Sequence, residues 1–129
     1  MIYLINTFKI KIKLIGFVFK MKNSKLHQEN KQIVSQLIKK NIKDNKIVLA
    51  ILGGSVARGD ETEHSDIDIN FFSEGKYLPN EKRKFYRFKR KYIEESFHNL
   101  SDFNINNLLD EEVILYDKKN LAKNRKSKN

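Results

Sequence analysis

The feature that most constrains this chain is an apolar run that breaks at two glycines and is followed by a spaced pair of aspartates. Ile47-Val48-Leu49-Ala50-Ile51-Leu52 is continuous and apolar, as expected of a strand buried on both faces. Gly53-Gly54-Ser55 ends the run, and glycine here permits a tight turn with close backbone approach to a ligand. Ten residues separate Ser55 from Asp66-Ile67-Asp68-Ile69. Alternation along a strand sets Asp66 and Asp68 on one face and Ile67 and Ile69 on the other. Two carboxylates held side by side repel each other in any half-buried setting. A divalent cation relieves that repulsion, and a phosphate-cradling turn nearby suggests that the cation arrives with a nucleotide.

Backbone N–H groups at a strand-to-helix turn favour bound phosphate. Ser55 adds a hydroxyl, and Arg58, one turn further on, adds a bidentate cationic contact. Either half of the pattern is weak alone, since Gly-Gly-Ser turns are common and an exposed Asp-Ile-Asp suits an ordinary edge strand. Their joint occurrence between two strand-like segments is the stronger signal.

The remaining elements follow from periodicity and punctuation. Ser24 is a candidate N-cap for an amphipathic helix running to about Lys40, with Leu26, Ile33, Val34, Leu37 and Ile38 at helical spacing. A short helix is expected from Ser55 to near Gly59, and a second strand from Asp66 to Phe72. Ser73 to Asn80, with Gly75 and Pro79, reads as a loop. Asn80 then caps a basic helix to about Lys91, on which Phe85, Phe88 and Tyr92 form the core stripe. A third strand is expected over Ile93 to His98. Ser101 caps a short helix carrying Phe103, Leu108 and Leu109, and Val113 to Tyr116 forms a last strand.

Length and composition set the outer bounds. The 129 residues make one domain with one modest core. Without cysteine there are no disulfides or thiolate metal sites, and a reducing, cytoplasmic setting fits. The net charge of +10 invites a nucleic-acid reading, but Lys outnumbers Arg 21 to five beside abundant Asn and Ile, as in AT-rich coding. Residues 1–20 carry four Lys and no acid, lack an uninterrupted apolar stretch, and are too charged to span a bilayer. They read as an extension outside the fold, the domain as residues 21–117, and residues 118–129 as a disordered basic tail.

Gly54-Ser55, ten residues, then Asp66-Ile67-Asp68 resembles the signature of the polymerase β-like nucleotidyltransferase superfamily, and the short chain resembles its minimal nucleotidyltransferase (MNT) branch. The resemblance implies an α/β (α+β) fold with a small mixed sheet flanked by helices. It also implies transfer of a nucleoside monophosphate with release of pyrophosphate, assisted by two Mg²⁺ ions. On this resemblance Asp66 and Asp68 hold the metals, while Gly53, Gly54, Ser55 and Arg58 hold the β- and γ-phosphates of a nucleoside triphosphate, with ATP favoured.

Such enzymes carry a third carboxylate on a neighbouring strand. Alternation in Ile93-Glu94-Glu95-Ser96-Phe97-His98 points Glu94 toward the aspartates, and places Glu95 among apolar neighbours. Glu94 is the first choice for metal and catalysis; Glu95 and Asp102 are the alternatives. His64 and His98 are nearer to solvated or structural residues than to ligands, and Asp60, Glu61 and Glu63 make a solvated acidic loop. The Lys82 to Lys91 segment reads as a solvated face; its other reading is a nucleic-acid or acidic-partner surface with Tyr86 available for stacking.

The acceptor divides the functional readings. The MNT branch resembles antitoxins that adenylylate a tyrosine of a HEPN-type toxin, making a partner protein the first expectation. A small-molecule acceptor, as in antibiotic nucleotidyltransferases, would call for a pocket made by an oligomer. A third reading is a partner-binding module that no longer catalyses. A membrane role is not expected, and a polynucleotide acceptor is disfavoured.

Overall fold

Strand β3 (Ile47–Gly53) is buried along its whole length, because the apolar run that forms it has neighbours on both edges and both faces. The computed structural model describes residues 2–4, 11–13, 25–75 and 82–124. Around β3 lie β4 (Ile67–Ser73), β5 (Arg83–Phe88), β6 (Lys91–Asn99) and β7 (Val113–Asp117), in the spatial order β5-β6-β4-β3-β7. The β4–β6 pair is parallel and the other three pairs are antiparallel, so the expected mixed sheet is present. Two further strands, β1 (Ile2–Leu4) and β2 (Lys11–Lys13), pair antiparallel in a sheet of their own, with β2 alongside β7.

Helix α1 (Lys25–Asn41) covers one face of the sheet. Its Ile33, Val34, Leu37 and Ile38 pack with Ile67, Ile69, Phe71, Ile93 and Leu115. The capping position Ser24 lies outside the described residues. The short helix α2 (Gly54–Arg58) adds Val56 and Ala57 to the same core and ends at Gly59, whose φ of 79° closes the helix in the left-handed region. A smaller core on the opposite face joins Leu49 and Ile51 to Phe72, Phe103, Ile105 and Leu108. It fills one end of that face and leaves the end bearing Asp68 accessible.

The basic helix expected from Asn80 to Lys91 is replaced by the β5–β6 hairpin. Lys89 and Arg90 form its two-residue turn, with φ of 49° and 67°, the signs a type I′ turn requires. The helical reading took Phe85, Phe88 and Tyr92 as one stripe, whereas the period is two. Tyr86 and Phe88 face the α1 core, while Phe85 and Tyr92 are 66% and 57% exposed on the other face. Pro79 and Asn80 lie outside the described residues.

Three smaller expectations also change. The segment after β6 forms two 3₁₀ turns, Leu100–Asp102 and Ile105–Asn107, in place of a short α-helix. Glu61 is not solvated: its carboxylate contacts His27 Nδ1 and Asn30 Nδ2, both inside α1, and pins the loop before β4 to that helix. Residues 118–124, read as the start of the tail, fold back on the sheet. Lys118 N donates to Val48 O, Lys119 pairs with Glu74 at 2.7 Å, and the Asp117 carboxylate caps the 3₁₀ turn Leu121–Asn124.

Candidate active site

The antiparallel pairing of β3 with β4 brings Gly53 opposite Asp68, so the glycine turn and the aspartates meet at one end of the two central strands. A Cβ on Gly53 would sit 3.6 Å from Asp68 Oδ2, and one on Gly54 would sit 4.0 Å from Asp68 Cβ. Gly54 also has a φ of +70°, a conformation that disfavours any side chain. The glycines thus let the backbone lie against the carboxylate. Ser55 follows in α2, half-buried beside this turn. Asp66 is exposed just before β4, which begins one residue later than expected.

The parallel pairing of β4 with β6 puts Glu94 in register with Asp68 and therefore on the same face. Glu94 is held at 3.4 Å by Arg83, reaching across from β5. Burial pushes the Asp68 carboxyl above the usual carboxylate range, and the charges of Glu94, Glu112 and Asp66 push it further, against a lowering influence from Arg83. One half-buried carboxylate therefore feels three other acids. Hard oxygen donors with surplus negative charge fit Mg²⁺. Among the described residues no three His, Asp or Glu side chains are gathered closely enough to form a metal site by themselves.

The other candidates separate cleanly. Glu95 points to the opposite face, 1% exposed, and accepts a 2.6 Å hydrogen bond from Asn41 Nδ2. It also bonds the Tyr86 hydroxyl, whose pKa is raised by burial and by this contact. Glu95 and Tyr86 thus tie α1 to the sheet, and Tyr86 is not free to stack on a ligand. Asp102 lies past the end of β6 near His98. His98 bonds Asn70 Oδ1 through Nε2 at 2.8 Å and stacks on Phe72. His64 is exposed beside Glu63. Arg58, at the far end of α2 from the glycines, pairs with Asp60 at 3.3 Å.

Two participants were not anticipated from sequence. Glu112 immediately precedes β7, and antiparallel pairing of Val113 with Leu52 carries it to the glycine turn. Arg83 was assigned to a solvated helix, yet it is the cation that bears on both Asp68 and Glu94. The period-two run in β5 was the signal for Arg83, and the strand assignment of Val113 to Tyr116 was the signal for Glu112.

The model of the nucleotidyltransferase domain family matches residues 34–126. The chain belongs to that family. The match spans the sheet, the glycine turn and the carboxylate face, and supports membership of the polymerase β-like superfamily. A comparison with curated proteins gives no match. Nucleotidyltransferase domains transfer a nucleoside monophosphate from a nucleoside triphosphate, which accounts for a phosphate-compatible turn beside paired acids. No helix among the described residues is long and apolar enough to cross a membrane.

Proposed function

We propose that this chain transfers AMP from ATP to a hydroxyl group of a partner protein, with Mg²⁺, in the manner of MNT antitoxins acting on HEPN-type toxins. The observation that carries this reading is the open carboxylate face. Asp68 and Glu94 lie beside exposed Phe85 and Tyr92, a surface of aromatic and arginine side chains that suits a macromolecular acceptor.

On this reading the residues take the following roles. Gly53 and Gly54 give the triphosphate close access to backbone N–H groups, and Ser55 supplies a hydroxyl. Arg58 reaches the terminal phosphates on releasing Asp60. Asp66, Asp68 and Glu94 would hold Mg²⁺ together with the triphosphate oxygens, and the ion would supply counter-charge for the entering and leaving oxygens. Arg83 positions Glu94 and is the local counter-charge. The acceptor oxygen attacks the α-phosphorus, and the bond from that phosphorus to the bridging oxygen breaks. Pyrophosphate leaves, and Glu94 takes the hydroxyl proton.

The test is incubation with Mg²⁺, labelled ATP and the protein encoded beside this one. Label is expected on that neighbour with the wild-type chain, and a loss of about 10²-fold or more with Asp66→Asn/Asp68→Asn. Equal neutralisation of the neighbour by the double variant would instead support a non-catalytic binding module. Glu94→Gln is expected to abolish transfer while leaving the fold intact, and full activity would remove Glu94 from the site.

A further inference from the structure

The strand order sets the two flanks of the carboxylates apart. The glycine turn lies on the β3 side of Asp68, and the β5–β6 hairpin lies on the other. Register places Arg83, Phe85, Arg87, Tyr92 and Glu94 on the same face as Asp68. At the hairpin end nearest Asp66 a cavity of about 190 Å³ opens between the loop before β4 and the hairpin turn. Its walls include His64, Ser65, Arg87, Arg90, Lys91 and Tyr92, and Glu63 also borders it. Lys91 is buried and donates to the Glu63 backbone oxygen at 3.1 Å, while the Glu63 carboxylate turns to His64 at 3.4 Å. Arg87 and Arg90 have no ion-pair partner among the described residues, so the cavity presents two guanidinium groups uncommitted to a carboxylate.

We propose that this hairpin is the dock for the acceptor, and that it receives an acidic peptide segment of the partner protein. One carboxylate of the segment enters the cavity at Arg87 and Arg90, and the hydroxyl-bearing residue is thereby delivered to Glu94. The inference rests on the transfer reading above. Charge complementarity carries it: Arg87 and Arg90 face the cavity without an ion pair among the described residues, and a guanidinium binds a carboxylate in a bidentate fork. Arg83 lies over Phe85 at 5.7 Å and Arg87 over Tyr92 at 5.2 Å, so the exposed rings hold these two guanidinium groups on the face that meets the segment. The occupant is a peptide because the transfer reading makes the acceptor a protein.

The experiment uses the full chain with three fluorescent probes of matched length. These are a tyrosine-containing glutamate-rich peptide, its glutamine-substituted counterpart, and a single-stranded RNA. Anisotropy titration is expected to show binding to the acidic peptide, weakened about tenfold or more by R87E/R90E and by raised salt. Thermal melting of R87E/R90E checks that it folds, and Arg87→Gln/Arg90→Gln should give an intermediate loss. Tighter binding of the RNA, equal binding of the glutamine peptide, no binding of the acidic peptide, or wild-type affinity in a folded R87E/R90E would each overturn the dock. Labelled ATP separates this from failure of the transfer reading. Acidic-peptide binding without nucleotide transfer leaves the dock standing, whereas transfer with unchanged affinity in R87E/R90E removes the dock alone.

Discussion

At Gly54 the backbone takes a φ of +70° directly beneath Asp68, and the nearest side-chain atom to an added Cβ would be 4.0 Å away. Space is therefore adequate, and the cost of Gly54→Ala is conformational, about 1–2 kcal/mol for a left-handed L-residue. Urea titration is expected to show an unfolding free energy lowered by that amount, and an unchanged value would mean that the turn relaxes freely. His98 offers a pH-dependent contrast. Burial holds its pKa below the ordinary 6.5, against a raising influence from Asp102 and with help from Arg83 and Lys82. The unfolded chain thus takes up the proton first. Stability contributed by neutral His98 is present above about pH 6.5 and declines as pH falls toward the lower folded-state pKa. Melting curves at pH 7.5 and 5.5 should differ more for wild type than for His98→Gln, and equal differences would assign the effect elsewhere. At this scale the meeting of the Gly54-Ser55 turn with Asp66 and Asp68 was legible because their spacing is local to the chain. Arg83 and Glu112 were not, since each reaches Asp68 only through strand pairing.

Among the elements, the β5–β6 hairpin shows why local pattern misleads. Arg83 to Tyr92 contains aromatics at spacings compatible with either a helical stripe or an alternating strand. Neither Lys89 nor Arg90 is a usual residue for a type I′ turn, so no punctuation marks the reversal. Lys89→Asn should relieve part of the left-handed cost and stabilise the protein by about 0.5–1 kcal/mol in denaturant titration. Destabilisation by this change would contradict the turn assignment. β3 was legible because its run is apolar throughout, and β6 because Ile93 and Phe97 alternate with Glu94 and His98. Glu95 looked misplaced on that strand only because Asn41 and Tyr86, which satisfy it, come from distant elements.

For the whole molecule, the described core residues lie in α1 and the elements after it, while β1 and β2 pair with each other and β2 lies alongside β7. Deletion of residues 1–20, which the sequence marks as an extension, is expected to change stability by no more than about 1 kcal/mol and to leave transfer intact. A larger loss would make the β1–β2 pair part of the catalytic fold. The sheet gathers a glycine turn, four acids and one arginine around one end of its central strands, and its family supplies the reaction. The most direct measurement compares ATP labelled at the α- and γ-phosphates, with Mg²⁺ and the acceptor protein. The α-label should stay on the acceptor while the γ-label leaves as pyrophosphate, and both events should cease in Asp66→Asn/Asp68→Asn. Retention of the γ-label on the acceptor, or undiminished α-label transfer by the double variant, would contradict nucleotidyl transfer at this site.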